Sequence, residues 1–298
     1  MIDFNSTSAF TNVYLGSNEL SGVYVGGNKI WPETTPPPSP TGYSDQYLTF
    51  LVEESGTFRF SGSSVQYSLD SGTTWVSLAN NTATPTLQSG DKIMWKATIT
   101  PSRYTGIGTF GYQSNAFSVE GNPMSLLYGD NFVGVTDLTG KDGAFLELFR
   151  NASGLTSAWN MSIPSTNIPQ QACFAMFQNC ENMTLPPAIL PATSLGYDCY
   201  AKMFQGCTSL RSAPELPAET LGSQSYRMMF YLCSSLNYVK CLAKNIYRTS
   251  QYGEKLYDNE SWLYGVAATG TFVKAATMTE WPTGQTGIPS GWSVEDAT

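Results

Sequence analysis

Apolar positions along this chain follow two periods. From residue 148 they return at a spacing near 27, in the aligned stretches "LFRNASGL", "MFQNCENM", "MFQGCTSL" and "MFYLCSSL". Phe149, Phe177, Phe204 and Phe230 anchor these stretches, at intervals of 28, 27 and 26 residues. Six positions after each comes Leu155, Met183, Leu210 or Leu236, and three after each comes Ala152, Cys180, Cys207 or Cys233. Columns that recur at such a period predict a solenoid, in which each repeat buries one face against its neighbours. The unit reads as a short helix around "CYAKMF", a turn, a strand around "LRSAPEL" and a proline turn.

Residues 43–122 carry the other period, close to two. "QYLTFLV", "GTFRFSG", "SVQYSLD", "KIMWKATIT" and "NAFSVEG" are β-branched and aromatic runs separated by Gly, Ser and Asn. They predict short strands and an Ig-like β-sandwich. Ahead of them, "VYLGSNEL" and "VYVGGNKI" repeat one ten-residue pattern within residues 1–33. Gly and Asn there signal an N-terminal β-hairpin, with Tyr14, Tyr24, Ile30 and Trp31 as its apolar side chains. Two short strands cannot form a core alone, so the hairpin is expected to act as an anchor on a larger assembly. Residues 34–42 are a Pro-rich linker with the stiffness of polyproline. The whole is multidomain and mainly β with short helices: 1–33, 34–42, 43–122, a solenoid of α/β repeats over 123–245, and a C-terminal cap over 246–298.

Two motifs in the β region invite a chemical reading. "SLDSGTTW" matches the Asp box, with Ser68, Asp70, Gly72 and Trp75 in place. Its residues suit a hairpin turn: Asp70 accepts backbone N–H bonds and Gly72 supplies a positive φ. A sialidase-like propeller would need several boxes and an arginine cluster, and only Arg59 and Arg103 lie here. "GIGTFG" satisfies G-x-G-x-x-G, but no helix pattern follows it, so the dinucleotide reading is set aside.

Composition narrows the function further. Histidine is absent, which removes Ser-His-Asp and Cys-His triads and HExxH zinc sites. A net charge of −8 argues against a nucleic-acid partner. No run of 18 apolar residues is present, so no membrane span is expected. "MIDFNSTSAF" lacks a basic, then apolar leader pattern, which gives the expectation of a chain that starts near Met1 and folds in a cytoplasm. The six cysteines all fall inside the repeats, and three share a column with Ala152. That placement favours reduced packing thiols over disulfides or a thiolate metal site. Asp130, Asp137 and Asp142 do not have EF-hand spacing, and a calcium ion near them is left open. No cofactor is implied, and no pair of acids suggests catalysis.

"MFQGCTSLRSAPELPAETL" resembles the BspA-like leucine-rich repeats of surface proteins from gut anaerobes of the Bacteroidales type. Their usual pattern places A-F-x-x-C before L-x-x-I-x-I-P. The tail "GTFVKAATMTEWPTGQTGIPSGWSVEDA" looks like the cap that follows such arrays, and "YSLDSGTTW", "GDKIMWKATITPS" and "GNPMSLLYGDNF" are similar to the β domain that precedes them. The first repeat departs from the pattern, with no Cys and with Leu148 in place of Met. Separately, "VYVGGNKIWP" is similar to a short element at the ends of bacteriophage tail and fibre proteins. Together these resemblances imply a non-enzymatic virion adhesin, a phage tail fibre or head fibre. It would join other virion proteins through the hairpin and bind a host-surface glycan or protein, with a homo-oligomer possible. A bacterial cell-surface adhesin is the alternative, and a histidine-free glycosidase a remote one.

Overall fold

The computed structural model describes residues 42–279, 281–284 and 287–297, together with backbone pairing of four short strands nearer the N-terminus. Those strands are β1 (Tyr14–Leu15), β2 (Asn18–Glu19), β3 (Val23–Val25) and β4 (Asn28–Trp31). β1 pairs antiparallel with β2, Leu15 opposite Asn18, and β3 pairs antiparallel with β4, Val25 opposite Asn28. Each ten-residue echo is therefore its own hairpin, so the segment holds two where one was expected. The side chains of Tyr14, Tyr24, Ile30 and Trp31 lie outside the described residues. Residues 1–38 form one compact unit and residues 39–298 another.

The larger unit opens with β5 (Leu48–Val52), β6 (Val65–Ser68), β7 (Val76–Leu78), β8 (Lys92–Lys96) and β9 (Phe117–Gly121). A four-residue helix, α1 (Ser125–Tyr128), follows, and then β10 (Leu155–Met161). These strands make one six-stranded sheet in the order β10-β9-β5-β8-β6-β7. All pairs are antiparallel except β10 on β9. The sheet thus runs across the expected boundary at residue 122 and takes its edge strand from the first repeat. In place of the second sheet of a sandwich, isolated bridges Gly56–Leu87, Arg59–Ala83 and Ser61–Thr109 tie extended segments into a layer. Phe50 joins the two layers, its ring 5.3 Å from Phe58, 4.8 Å from Phe110 and 4.9 Å from Phe117.

Beyond the sheet, successive units run parallel and bridge at equivalent positions. Ser157 bridges Leu185, β11 (Asn167–Ile168) pairs with β12 (Ser194–Leu195), Ile189 bridges Glu215 and Leu216 bridges Cys241. β13 (Tyr238–Cys241) begins a three-stranded parallel sheet completed by β16 (Gly270–Lys274) and β17 (Trp292–Asp296). Between them, β14 (Tyr247–Thr249) and β15 (Lys255–Tyr257) form an antiparallel hairpin.

The short helix expected at "CYAKMF" does not form; α1 is the one α-helix among the described residues. A ribbon of overlapping turns takes its place. The N–H groups of Ala172, Phe174, Met176, Gln178 and Cys180 close turns on carbonyls three residues back. The alternate ones, on Gln171, Cys173, Ala175, Phe177 and Asn179, donate to Tyr197, Cys199, Ala201, Met203 and Gln205 of the next unit. An α-helix would direct its N–H groups into its own chain and leave none for a neighbour. The ribbon divides them between the two. Its turns need a positive φ at every fourth residue: 54° at Gln171, 51° at Ala175 and 58° at Asn179, and likewise at Gln224, Met228 and Leu232.

The sequence columns fill the core of this stack. All of Phe149, Phe177, Phe204, Phe230, Leu155, Met183, Leu210, Leu236, Cys180, Cys207 and Cys233 are fully buried. The phenylalanine rings lie parallel, with centroids 5.5, 5.4 and 5.4 Å apart. The thiols have a bonding role as well as a packing one. The carbonyl of Phe177 accepts the Cys180 N–H of its own turn and, at 3.1 Å, the Cys207 Sγ of the next unit. Phe149 is treated the same way by Ala152 and Cys180, and Phe204 by Cys207 and Cys233. All six cysteines are free thiols, and burial raises the pKa of each, with Cys233 and Cys241 pushed up to about 12. Such thiols are poor nucleophiles.

Two substitutions test this packing in opposite directions. Cys207→Ala removes the bond to Phe177 and leaves a small void, so urea unfolding should show a loss of about 1–2 kcal/mol. Leu232 holds a φ of 61° with its side chain about half exposed. Leu232→Asn relieves a conformation that costs an ordinary L-residue about 1 kcal/mol, and stability should rise by a similar amount. An unchanged midpoint for either variant contradicts the ribbon.

Candidate functional site: a polar groove on the β layer

The Asp box closes its own turn. Ser68 Oγ donates to Asp70 Oδ1 at 2.7 Å and accepts the Gly72 N–H at 2.9 Å. The Thr74 N–H and hydroxyl donate to the two oxygens of Asp70 at 2.8 and 2.6 Å. Trp75 Nε1 donates to the Gly72 carbonyl, 3.1 Å away. These donors, the Thr74 pair foremost, lower the Asp70 pKa from 3.8 to about 2, although the carboxylate stays in solvent. With its carboxylate held by Ser68 and Thr74, Asp70 organises the turn.

Trp75 carries the turn onto an ionic and aromatic cluster. Its ring lies 4.9 Å from that of Tyr47 and 4.2 Å below Lys96 Nζ. Tyr47 Oη and Lys96 Nζ each donate to Asp130 Oδ1 at 2.7 Å. Burial, then the bond to Asp130, pushes the Tyr47 hydroxyl up to about 12. Asp137 accepts instead from Thr139 and Asn167. Asp130 and Asp137 thus have separate partners, and no group of three His, Cys, Asp or Glu able to hold a metal occurs among the described residues.

"GIGTFG" is a docking surface for the first repeat. Phe110 donates its N–H to Leu148 O at 2.7 Å, and its ring stacks on Phe149 at 5.9 Å. It thereby takes the place that a phenylalanine holds in each later unit. A Cβ on Gly111 would lie 2.3 Å from the Arg150 carbonyl, and one on Gly108 would lie 2.4 Å from the Ser61 carbonyl. Close backbone approach, and not a phosphate, accounts for these glycines.

The same docking opens a groove of about 650 Å³ between the bridged layer and the 109–115 loop. Glu54, Arg59, Asn81, Tyr112, Gln113 and Asn115 line it, with Ser, Thr and Gly filling the remainder. Gln113 is buried and fixes the loop, its Nε2 donating to the Arg59 carbonyl at 3.2 Å while its own carbonyl accepts the Gly154 N–H. Arg59 Nη1 donates to Asn81 O at 3.0 Å. The Asn115 Nδ2 atom is buried without a hydrogen-bond partner. Tyr112 stands 76% exposed, with a φ of 62°. Two positions after Phe110, it occupies the column that later units fill with Asn151, Asn179, Gly206 and Leu232. The residues come from three separated stretches of chain, so linear motifs do not reveal them. The available signal is Tyr112 itself, a lone aromatic in the polar run "GYQSN".

Comparison with protein-family models, with curated proteins and with solved structures finds no match. No helix among the described residues is long and apolar enough to cross a membrane.

The Asp70 pKa gives this region a pH signature. A carboxylate depressed on folding contributes stability that is complete above its unfolded value and lost as pH falls through its folded one. Stability should therefore decline between about pH 4 and pH 2, and Asp70→Asn should flatten that part of the profile. A profile identical in both proteins across this window contradicts the role of the carboxylate.

Proposed function

We propose that this protein is a non-enzymatic recognition module, a virion adhesin of the phage tail-fibre or head-fibre kind. In this reading residues 43–122 form the Ig-like domain, residues 123–245 a BspA-like leucine-rich-repeat solenoid and residues 246–298 its cap. The hairpins at the N-terminus attach it to other virion proteins, and the body presents a surface to a host glycan or protein. The observation that carries this reading is the groove: a polar, open surface with an exposed tyrosine. Leu232 holds the same strained conformation farther along the column, but Tyr112 combines it with a ring left 76% exposed at the edge of a polar groove, without a packing return. Binding supplies a reason to keep it.

Glu54 is the one carboxylate in the lining, whereas glycoside hydrolysis generally uses two flanking the bond. That supports binding over cleavage. The phage-element resemblance of "VYVGGNKIWP" favours the virion, and the repeat resemblance alone would suit a bacterial surface adhesin.

The division of the chain into units 1–38 and 39–298 makes the assignment testable. A 39–298 fragment should unfold cooperatively, bind host cells as the full chain does, release no sugar from their glycans and fail to join the particle. A fragment that aggregates, or that assembles normally, removes the anchor from the account. Cell binding unchanged in Tyr112→Asn moves recognition away from the groove.

A further inference from the structure

We infer that the groove is a subsite for a neutral pyranose with vicinal hydroxyls. The inference rests on the recognition reading above and gives it a ligand class. Every lining residue is polar, glycine or Tyr112, and none is aliphatic. A peptide partner would bring apolar side chains that find no complementary surface here. A sugar brings hydroxyls for the polar wall and a C–H face for one aromatic ring.

The charges in the groove sharpen the choice. Glu54 and Arg59 both line it and no ion pair joins them; Glu54 Oε2 accepts the Ala116 N–H at 3.4 Å and Arg59 Nη1 donates to Asn81 O at 3.0 Å, and neither has an ion-pair partner among the described residues. A carboxylate accepts and a guanidinium donates, and two adjacent hydroxyls can satisfy both at once. Two bonds hold the Arg59 donor in place, from Gln113 Nε2 to its backbone carbonyl and from its own Nη1 to Asn81 O. One acid balances one base, so the lining has no cationic excess to select a sialic or uronic acid. Tyr112, fixed by its backbone and free of packing on its ring, supplies the stacking face.

Saturation-transfer NMR with the full chain tests this. The probes are the methyl pyranosides of glucose, galactose and mannose, with N-acetylneuraminic acid, methyl glucuronide and triglycine as the contrasting set. At least one neutral pyranoside should show transfer strongest on its ring protons. Its affinity should fall at least tenfold in Glu54→Gln and in Tyr112→Asn, the second chosen because Asn suits a positive φ. Transfer only to the acids or to triglycine overturns the inference, as does neutral binding that both variants retain. If no probe binds while Tyr112→Asn abolishes cell attachment, the ligand class is wrong and the recognition surface stands. If attachment also survives that substitution, both are wrong.

Discussion

One constraint governs the molecule: the turn ribbon of each repeat must satisfy alternate N–H groups on the next. Phe149, Phe177, Phe204 and Phe230 each donate to the unit that follows, and the carbonyls of the first three accept a cysteine thiol from it. Buried backbone groups left unpaired are costly, so every rung needs its neighbour in register. Ring stacking follows from the register. The positive φ values along the ribbon are tolerated because inter-unit bonds over-determine the conformation.

The β layer inherits this geometry. Phe110 behaves as a rung before the first repeat, and the glycines around it let the chain approach within contact of Ser61 and Arg150. β10 then extends the sheet by pairing with β9. The groove is a by-product of that junction, since the loop ending at Asn115 is positioned by Gln113 and Gly154. The groove wall is thus held by the same kind of backbone bond that joins one rung to the next.

How much of this could be read from residues alone depends on the range of the interactions. The phenylalanine, leucine and cysteine columns were legible because burial repeats with the unit. The Asp box was legible as a turn because its bonds are local to residues 68–75. The turn ribbon was not, since its positive-φ sites carry Gln171, Ala175, Lys202 and Met228, residues with no preference for that conformation. Apolar positions in "CYAKMF" also fall three and four apart, as in a helix, and only bonding between units separates the two. The glycines of "GIGTFG" permit close backbone approach, but nothing local marks the stretch as a docking rung. The groove escaped because Glu54, Asn81 and Tyr112 meet only after the layers close.

The ring column has a mechanical side. Phe110, Phe149, Phe177, Phe204 and Phe230 stack nearly parallel, but Trp262 meets Phe230 at 6.3 Å with a 55° tilt. Each rung contacts only its neighbours, so a pull along the stack loads its interfaces in series, like links of a chain. Yield strength is then set by the poorest joint and not by the sum. At Trp262 the single column ends and the load is shared: Tyr226 stacks on Trp262 at 12°, Tyr231 on Tyr264 at 15°, and β13 pairs with β16, so the tilted Phe230–Trp262 contact is one strand of a wider splice.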